Sequence, residues 1–179
     1  SHAESRILAA LSAAPRRVPF LVGPCGSGRT SVLMNLVHHL GRDKCQYIDA
    51  ERTTTTPELN FSTILQASPY SSTAGSLTER LDRNTPRDTF EPLLNFFTKT
   101  KTSEKAPATF VIDEILELRT FENFPGLRDG FQRFLDSVLF SANHFIFSSR
   151  YVNRVHHLLQ EFPDTFELIN LSGLSSSDV

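Results

Sequence analysis

The sequence predicts an α/β fold of three layers, with a five-stranded, mostly parallel sheet and helices on both of its faces. Two observations carry this. Five short apolar runs of strand length alternate with segments whose apolar residues recur at helical spacing, the pattern of right-handed crossovers in a parallel sheet. Three of those runs also end in glycine, in paired acids or in Ser-Ser-Arg, and the carboxyl ends of parallel strands are where open α/β sheets bind ligands.

Taken in order, residues 4–14 (ESRILAALSAA) have the composition of a short helix stopped by Pro15. The start at Ser1-His2-Ala3, without an initiator Met, makes residues 1–14 read as an N-terminal helix with a tag remnant. VPFLVG, 18–23, is an apolar run suited to a buried parallel strand. A glycine-rich turn follows, and then Val32, Leu33, Leu36, Val37 and Leu40 mark a helix closed by Gly41. QYIDA, 46–50, is a second strand. Residues 53–87 are rich in Thr, Ser, Gly and Pro and read as a loop-rich surface insertion with one brief helix near Phe61–Gln66. A helix over 88–100 precedes the third strand, ATFVIDE, at 108–114. A helix over 127–142 then leads to HFIFSSR, and a helix over 151–162 leads to TFELINLS. No internal repeat is visible.

At 179 residues the chain fits one domain, and folding at that size buries roughly 70% of the unfolded surface. Residues 15–179 form its core. A formal charge of −2 leaves no global basic field for nucleic acid or an anionic membrane. Two well-separated cysteines, Cys25 and Cys45, suggest neither a disulfide framework nor a zinc site. No run of eighteen apolar residues and no signal-peptide pattern is present, so the expectation is a cytoplasmic protein without membrane contact. The adjacent pairs His38-His39 and His156-His157 point about 100° apart on a helix and cannot share a metal, so they are expected to be solvated or packed. The fifteen phenylalanines are expected mostly in the core.

The residues with chemistry begin at GPCGSGRTS. The pattern G-x-x-x-x-G-K-[ST] is met at Gly23, Gly28 and Thr30, with Arg29 in the lysine position. Such a loop wraps phosphates with successive backbone N–H groups at the start of a helix, where the dipole favours negative charge. Residues Gly23, Pro24, Cys25, Gly26, Ser27, Gly28, Arg29, Thr30 and Ser31 are therefore the expected phosphate cradle, with Thr30 supplying a hydroxyl to Mg2+ and Ser31 near the α-phosphate. Asp113-Glu114, ending four apolar residues, form the second part: Asp113 would hold the Mg2+ water shell and Glu114 would polarise the attacking water. Ser148, Ser149 and Arg150, at the end of the fourth strand, should lie beside the loop and the paired acids, where Ser149 or Arg150 can sense a γ-phosphate.

A P-loop, one strand inserted before an hhhhDE strand, and a polar sensor strand together resemble the additional-strand-catalytic-glutamate group of P-loop NTPases, which contains AAA+ and STAND NTPases. More narrowly, YIDAERT, FVIDEI, FIFSSR and FELINLSGLSSSDV resemble the archaeal-type ATPase and NACHT or NB-ARC branch. The resemblance covers roughly residues 15–179. It implies a catalytic role for Glu114, Arg29 and Arg150, ATP or ADP with Mg2+ as cofactors, and a helical lid that would begin where this sequence stops, after 167–177.

Arg29 departs from the family's lysine. A guanidinium is planar, bulkier and forked, whereas an ammonium is a compact point charge. A charge misplaced by about an ångström is expensive at a transition state, so binding is expected to survive better than turnover. The leading expectation is a nucleotide switch that binds ATP, hydrolyses it slowly if at all, and controls self-assembly or a protein partner. A pseudo-ATPase acting as an interaction platform is the second reading. A third is an ATPase module of a DNA-associated machine, with its DNA contacts supplied from outside this sequence. Arg154 is read either as an arginine finger or as a surface residue.

Overall fold

In a computed structural model of the chain, residues 2–53, 63–64, 67–70 and 86–171 are described. Of the brief helix expected near Phe61–Gln66, Thr63 and Ile64 are described and are helical; the rest of it, most of the insertion at 53–87, and the lid-leading end beyond Leu171 lie outside the described residues. Helix α1 (His2–Ser12) comes first, then strand β1 (Val18–Val22), helix α2 (Arg29–Leu40) and strand β2 (Cys45–Asp49). The short helix α3 (Ala50–Thr53) continues directly from β2, and α4 (Pro86–Lys99) leads to β3 (Thr109–Asp113). A 3₁₀ segment, Ile115–Asn123, precedes α5 (Gly130–Phe140), β4 (His144–Ser149), α6 (Val152–Glu161) and β5 (Phe166–Asn170).

The five strands run in the order β2-β3-β4-β1-β5, and every pairing is parallel. The sheet is thus wholly rather than mostly parallel. Side chains alternate across it, as the pleat requires. Phe20 and Val22, Phe110 and Ile112, and Phe145 and Phe147 face a core shared with α4, α5 and α6. Leu21, Val111, Ile146 and Ile169 face the other way, against Ile7 of α1 and Leu33, Leu36 and Val37 of α2. Both faces are covered, which is why the strands read as continuous apolar runs.

The phenylalanines fill the first of these layers. Phe97 meets Phe110 edge to face at 5.0 Å between centroids, and Phe20 lies between Phe147 and Phe166 in similar geometry. Phe140, 91% exposed, is an exception to the core expectation. The 3₁₀ segment was not expected from the sequence. It is amphipathic only in the sense that Ile115, Leu116 and Phe121 are buried, and nine residues give too few turns for a period to stand out.

Two buried polar groups fix the approaches to the sheet. Asn143 accepts from the Ala108 N–H at 3.0 Å and donates to the carbonyls of Phe97 (2.8 Å) and Thr100 (2.9 Å), tying the end of α4 and the start of β3 to the start of β4. The Tyr70 hydroxyl, its pKa pushed up to about 12 by burial, donates to the Lys44 carbonyl at 2.7 Å and so pins a point midway along the insertion to the start of β2. Asn143→Ala would leave the Ala108 N–H and two carbonyls without their partner in a buried place. It is expected to lower stability by about 2 to 3 kcal/mol, read as a lower denaturant midpoint at unchanged slope.

Candidate functional site

The loop between β1 and α2 is shaped by its glycines. Gly28, the residue before α2, is left-handed at φ 86°, and Gly26 has φ 84°, conformations that cost an L side chain about 1 kcal/mol or more. Gly23 is required for a different reason: a Cβ there would stand 2.4 Å from Ser27 Oγ. The first bond of α2 runs from the Val32 N–H to the Gly28 carbonyl at 3.1 Å, so the N–H groups preceding Val32 in the first turn have no intrahelical acceptor and point out of the helix end. They line an open hollow of about 230 Å³ formed by residues 24–26 and 28–31. Ser27 Oγ, among the described residues, is buried without a hydrogen-bond partner. A glycine cradle, unfilled helix-end donors and an orphaned hydroxyl are a donor set that fits a phosphate chain.

Below the loop lies Asp113-Glu114. The register Asp49↔Asp113 sets the end of β3 beside the end of β2, and Ile112↔Phe147 sets it beside Ser148 of β4. Glu114 is one of two non-glycine residues with positive φ among those described, at φ 57° and ψ 50°. Backbone in this region costs about 1 to 3 kcal/mol and persists only where its surroundings hold it. Here the surroundings are a polar cluster. The Glu114 N–H donates to Ser148 Oγ at 3.2 Å, and that hydroxyl donates in turn to Asp113. The Arg150 N–H approaches the other Glu114 oxygen at 3.4 Å.

Arg29 joins the loop to this cluster. Only 9% exposed, it donates from Nη2 to Glu114, from Nη1 to the Gly23 carbonyl, and from Nε to Asp113 at 3.5 Å. Glu114 has its pKa raised, because burial outweighs the opposing attraction of Arg29. Asp113 is surrounded more completely: beside Arg29 and Ser148 it accepts from the Tyr47 hydroxyl at 2.7 Å and from Thr30 Oγ1 at 3.2 Å. A hard cation needs oxygen ligands free to face it. With four donors on Asp113 and a guanidinium on Glu114, the two carboxylates do not fit a divalent ion in this arrangement.

The expected site residues are therefore brought together at one end of the sheet, with some in unexpected roles. Thr30 reaches Asp113, as a shared metal position would require, but through a direct hydrogen bond. Ser149 Oγ accepts from the Tyr151 N–H at 3.0 Å, and its carbonyl accepts from the Gly23 N–H at 3.3 Å. Arg150 is held by Glu51 at 2.8 Å and Glu117 at 3.4 Å and donates to the Tyr151 hydroxyl at 2.9 Å. Arg150 and Arg154 stack on the Tyr151 ring, 4.9 and 4.7 Å from its centroid. Tyr47 touches Asp113 without having been expected to, whereas Ser148, expected beside the acids together with Ser149 and Arg150, is the serine that meets them. Ser148 was legible in principle, since neighbouring strand residues face opposite ways and the sheet register decides which of two serines meets Asp113. His38, His39, His156 and His157 are exposed. No helix among the described residues is long and apolar enough to cross a membrane.

Comparison with known proteins agrees with this fold. No curated protein matches the sequence. Among solved structures, the Walker-type ATPase PABY2304 of Pyrococcus abyssi superposes with a TM-score of 0.62 at 15% identity, covering 95% of this chain and 53% of that one. The Aeropyrum pernix ORC1 protein, solved in complex with DNA, superposes with a TM-score of 0.66 at 16% identity, covering 99% of this chain and 46% of that one. The chain thus spans about half the length of each, and at such identities the likeness is one of fold. The AAA domain, dynein-related subfamily, matches residues 19–122, which run from β1 through the loop and the paired acids to the 3₁₀ segment. With more than half of its residues matched in this way, the chain belongs to the AAA domain family.

Proposed function

We propose that this AAA module is a nucleotide-responsive switch that binds ATP or ADP in the 23–31 loop and signals by binding and exchange, with little or no hydrolysis. The observation that carries the reading is the pair between Arg29 and Glu114. Glu114 is the residue positioned to activate a water, and a general base acts through a free lone pair within reach of its proton. An oxygen bound to a buried guanidinium is not free in that sense. Phosphate binding relies instead on backbone N–H groups and the helix end, which Arg29 leaves open.

The response to nucleotide would pass through Arg150. It is half-committed at the rim, held by Glu51 just after β2 and by Glu117 in the 3₁₀ segment. A triphosphate competing for this guanidinium would loosen the tie between those two elements and alter the surface offered to a lid, a second copy or another protein. The fold likeness to a protein solved with DNA is not matched by a basic field in this chain, whose formal charge is −2, so a protein partner is the preferred reading.

Calorimetric titration should show ATP and ADP binding to the parent chain while phosphate release stays at background, and Arg29→Lys should release phosphate at least tenfold faster. Parent turnover equal to that of the lysine variant would remove the role given to the Arg29–Glu114 pair. Binding has an independent readout in the two thiols. Cys25 is exposed within the loop, whereas Cys45 is buried with its pKa pushed up to about 12 by desolvation. A disulfide reagent should label one thiol quickly and the other only on unfolding, and ADP should slow the fast reaction several-fold. Labelling of Cys25 at the same rate with saturating ADP would place the nucleotide elsewhere.

A further inference from the structure

We propose that Arg29 takes the place of a divalent cation, so that this site binds nucleotide phosphate without metal. The inference rests on the nucleotide reading above and adds to it the form of the ligand: free ATP or ADP rather than its Mg2+ complex. A resident cation in a phosphate site links negative phosphate oxygens to acidic side chains. The same link can be built from this chain alone. The guanidinium lies between the loop and the acids, bound to the Gly23 carbonyl on one side and to Asp113 and Glu114 on the other. Three of its five N–H donors are used in this way, which leaves two for a phosphate seated at the α2 end.

Arg29 is one of four donors on Asp113. Asp113 also accepts from Thr30, Tyr47 and Ser148, so removing the arginine contact alone does not empty the carboxylate. A cation entering here would have to displace the Tyr47 phenol or the Thr30 hydroxyl and sit against a fixed positive charge. A lysine in the same position has one compact ammonium, which cannot span the Gly23 carbonyl and both acids at once. Glu114 and the single position on Asp113 Oδ1 that Arg29 occupies beside Ser148 would then be open to metal. Arginine in the loop and metal at the acids are, on this geometry, alternatives.

The test is calorimetric titration of ADP into the parent chain and into Arg29→Lys, each in excess Mg2+ and in EDTA. The expected result is a parent Kd at least threefold tighter in EDTA than in excess Mg2+, which ties ADP up as its complex, and a lysine variant that binds at least tenfold tighter with Mg2+ than without. A parent chain that falls short of this, or itself binds tighter with Mg2+, overturns the inference and leaves the nucleotide reading standing. Absence of ADP binding in both buffers removes that reading and the inference with it. Should the lysine variant fail to fold, electron paramagnetic resonance of Mn2+ with ADP and the parent chain decides the point. Release of Mn2+ from ADP on adding the parent chain supports metal-free binding, and unchanged partitioning or an additional protein-bound Mn2+ signal in the ternary mixture overturns it.

Discussion

The arrangement of the site depends on one buried cation. Arg29 cannot be left without partners at 9% exposure, because an isolated guanidinium out of water carries a desolvation penalty of several kcal/mol. Its three acceptors come from separate parts of the chain: the Gly23 carbonyl from the end of β1, and Asp113 and Glu114 from the end of β3. The same contacts serve the acids, whose own burial would otherwise be uncompensated, and they hold Glu114 in its left-handed backbone conformation. Removing one member of a buried ion pair typically costs about 3 to 5 kcal/mol. The loop, the arginine and the acids therefore form one unit, in which each charged group is a condition for the burial of the others.

That unit is positioned by the sheet. Parallel pairing with β3 beside β4, and β4 beside β1, brings the ends of three strands to the same edge. The central strands are apolar along their length, and their chemistry-bearing residues lie at their carboxyl ends. The aromatic packing of Phe97, Phe110 and Phe145 beneath the sheet makes its platform rigid, since interiors packed at crystal density do not yield to small displacements. The Arg150 cluster differs in kind. Its acids are 50% and 20% exposed, and partners of this sort contribute about 1 kcal/mol or less each. A rigid acid pair beside a loosely held arginine is a division suited to a site that binds in one place and responds in another.

Much of this was legible in the sequence. The five strands, the helix after the glycine loop and the closing Gly41 follow from period and punctuation, and the residues at the strand ends follow from the rule for parallel sheets. What escaped has a common cause: it depends on which neighbour a side chain meets. Whether Ser148 or Ser149 faces Asp113 is set by register between strands thirty-five residues apart. Tyr47 reads as an ordinary strand residue until β2 is placed beside β3. The 3₁₀ segment follows from a left-handed turn at a glutamate, which no propensity would suggest. The sequence identified Arg29 as a departure from lysine, but its direction was invisible, because a long side chain can turn toward phosphate or toward acid.

That direction bears on what the substitution means. Read as an impaired lysine, arginine in the loop is a loss: the same charge, less well placed for a transition state. The three contacts support another account. A guanidinium presents several donors in one plane, so it can satisfy two acids and a carbonyl while keeping donors for a further anion. An ammonium, with its charge at a point, leaves the acids to recruit a cation from solution. The two side chains thus divide the work of charge compensation differently: lysine shares it with metal and keeps the glutamate available to water, whereas arginine performs it internally and occupies the glutamate. A module that reports nucleotide occupancy needs the first interaction, with phosphate, and does not need the second, with water. On that view Arg29 narrows the chemistry of the loop to recognition, and the paired acids remain because they anchor the arginine.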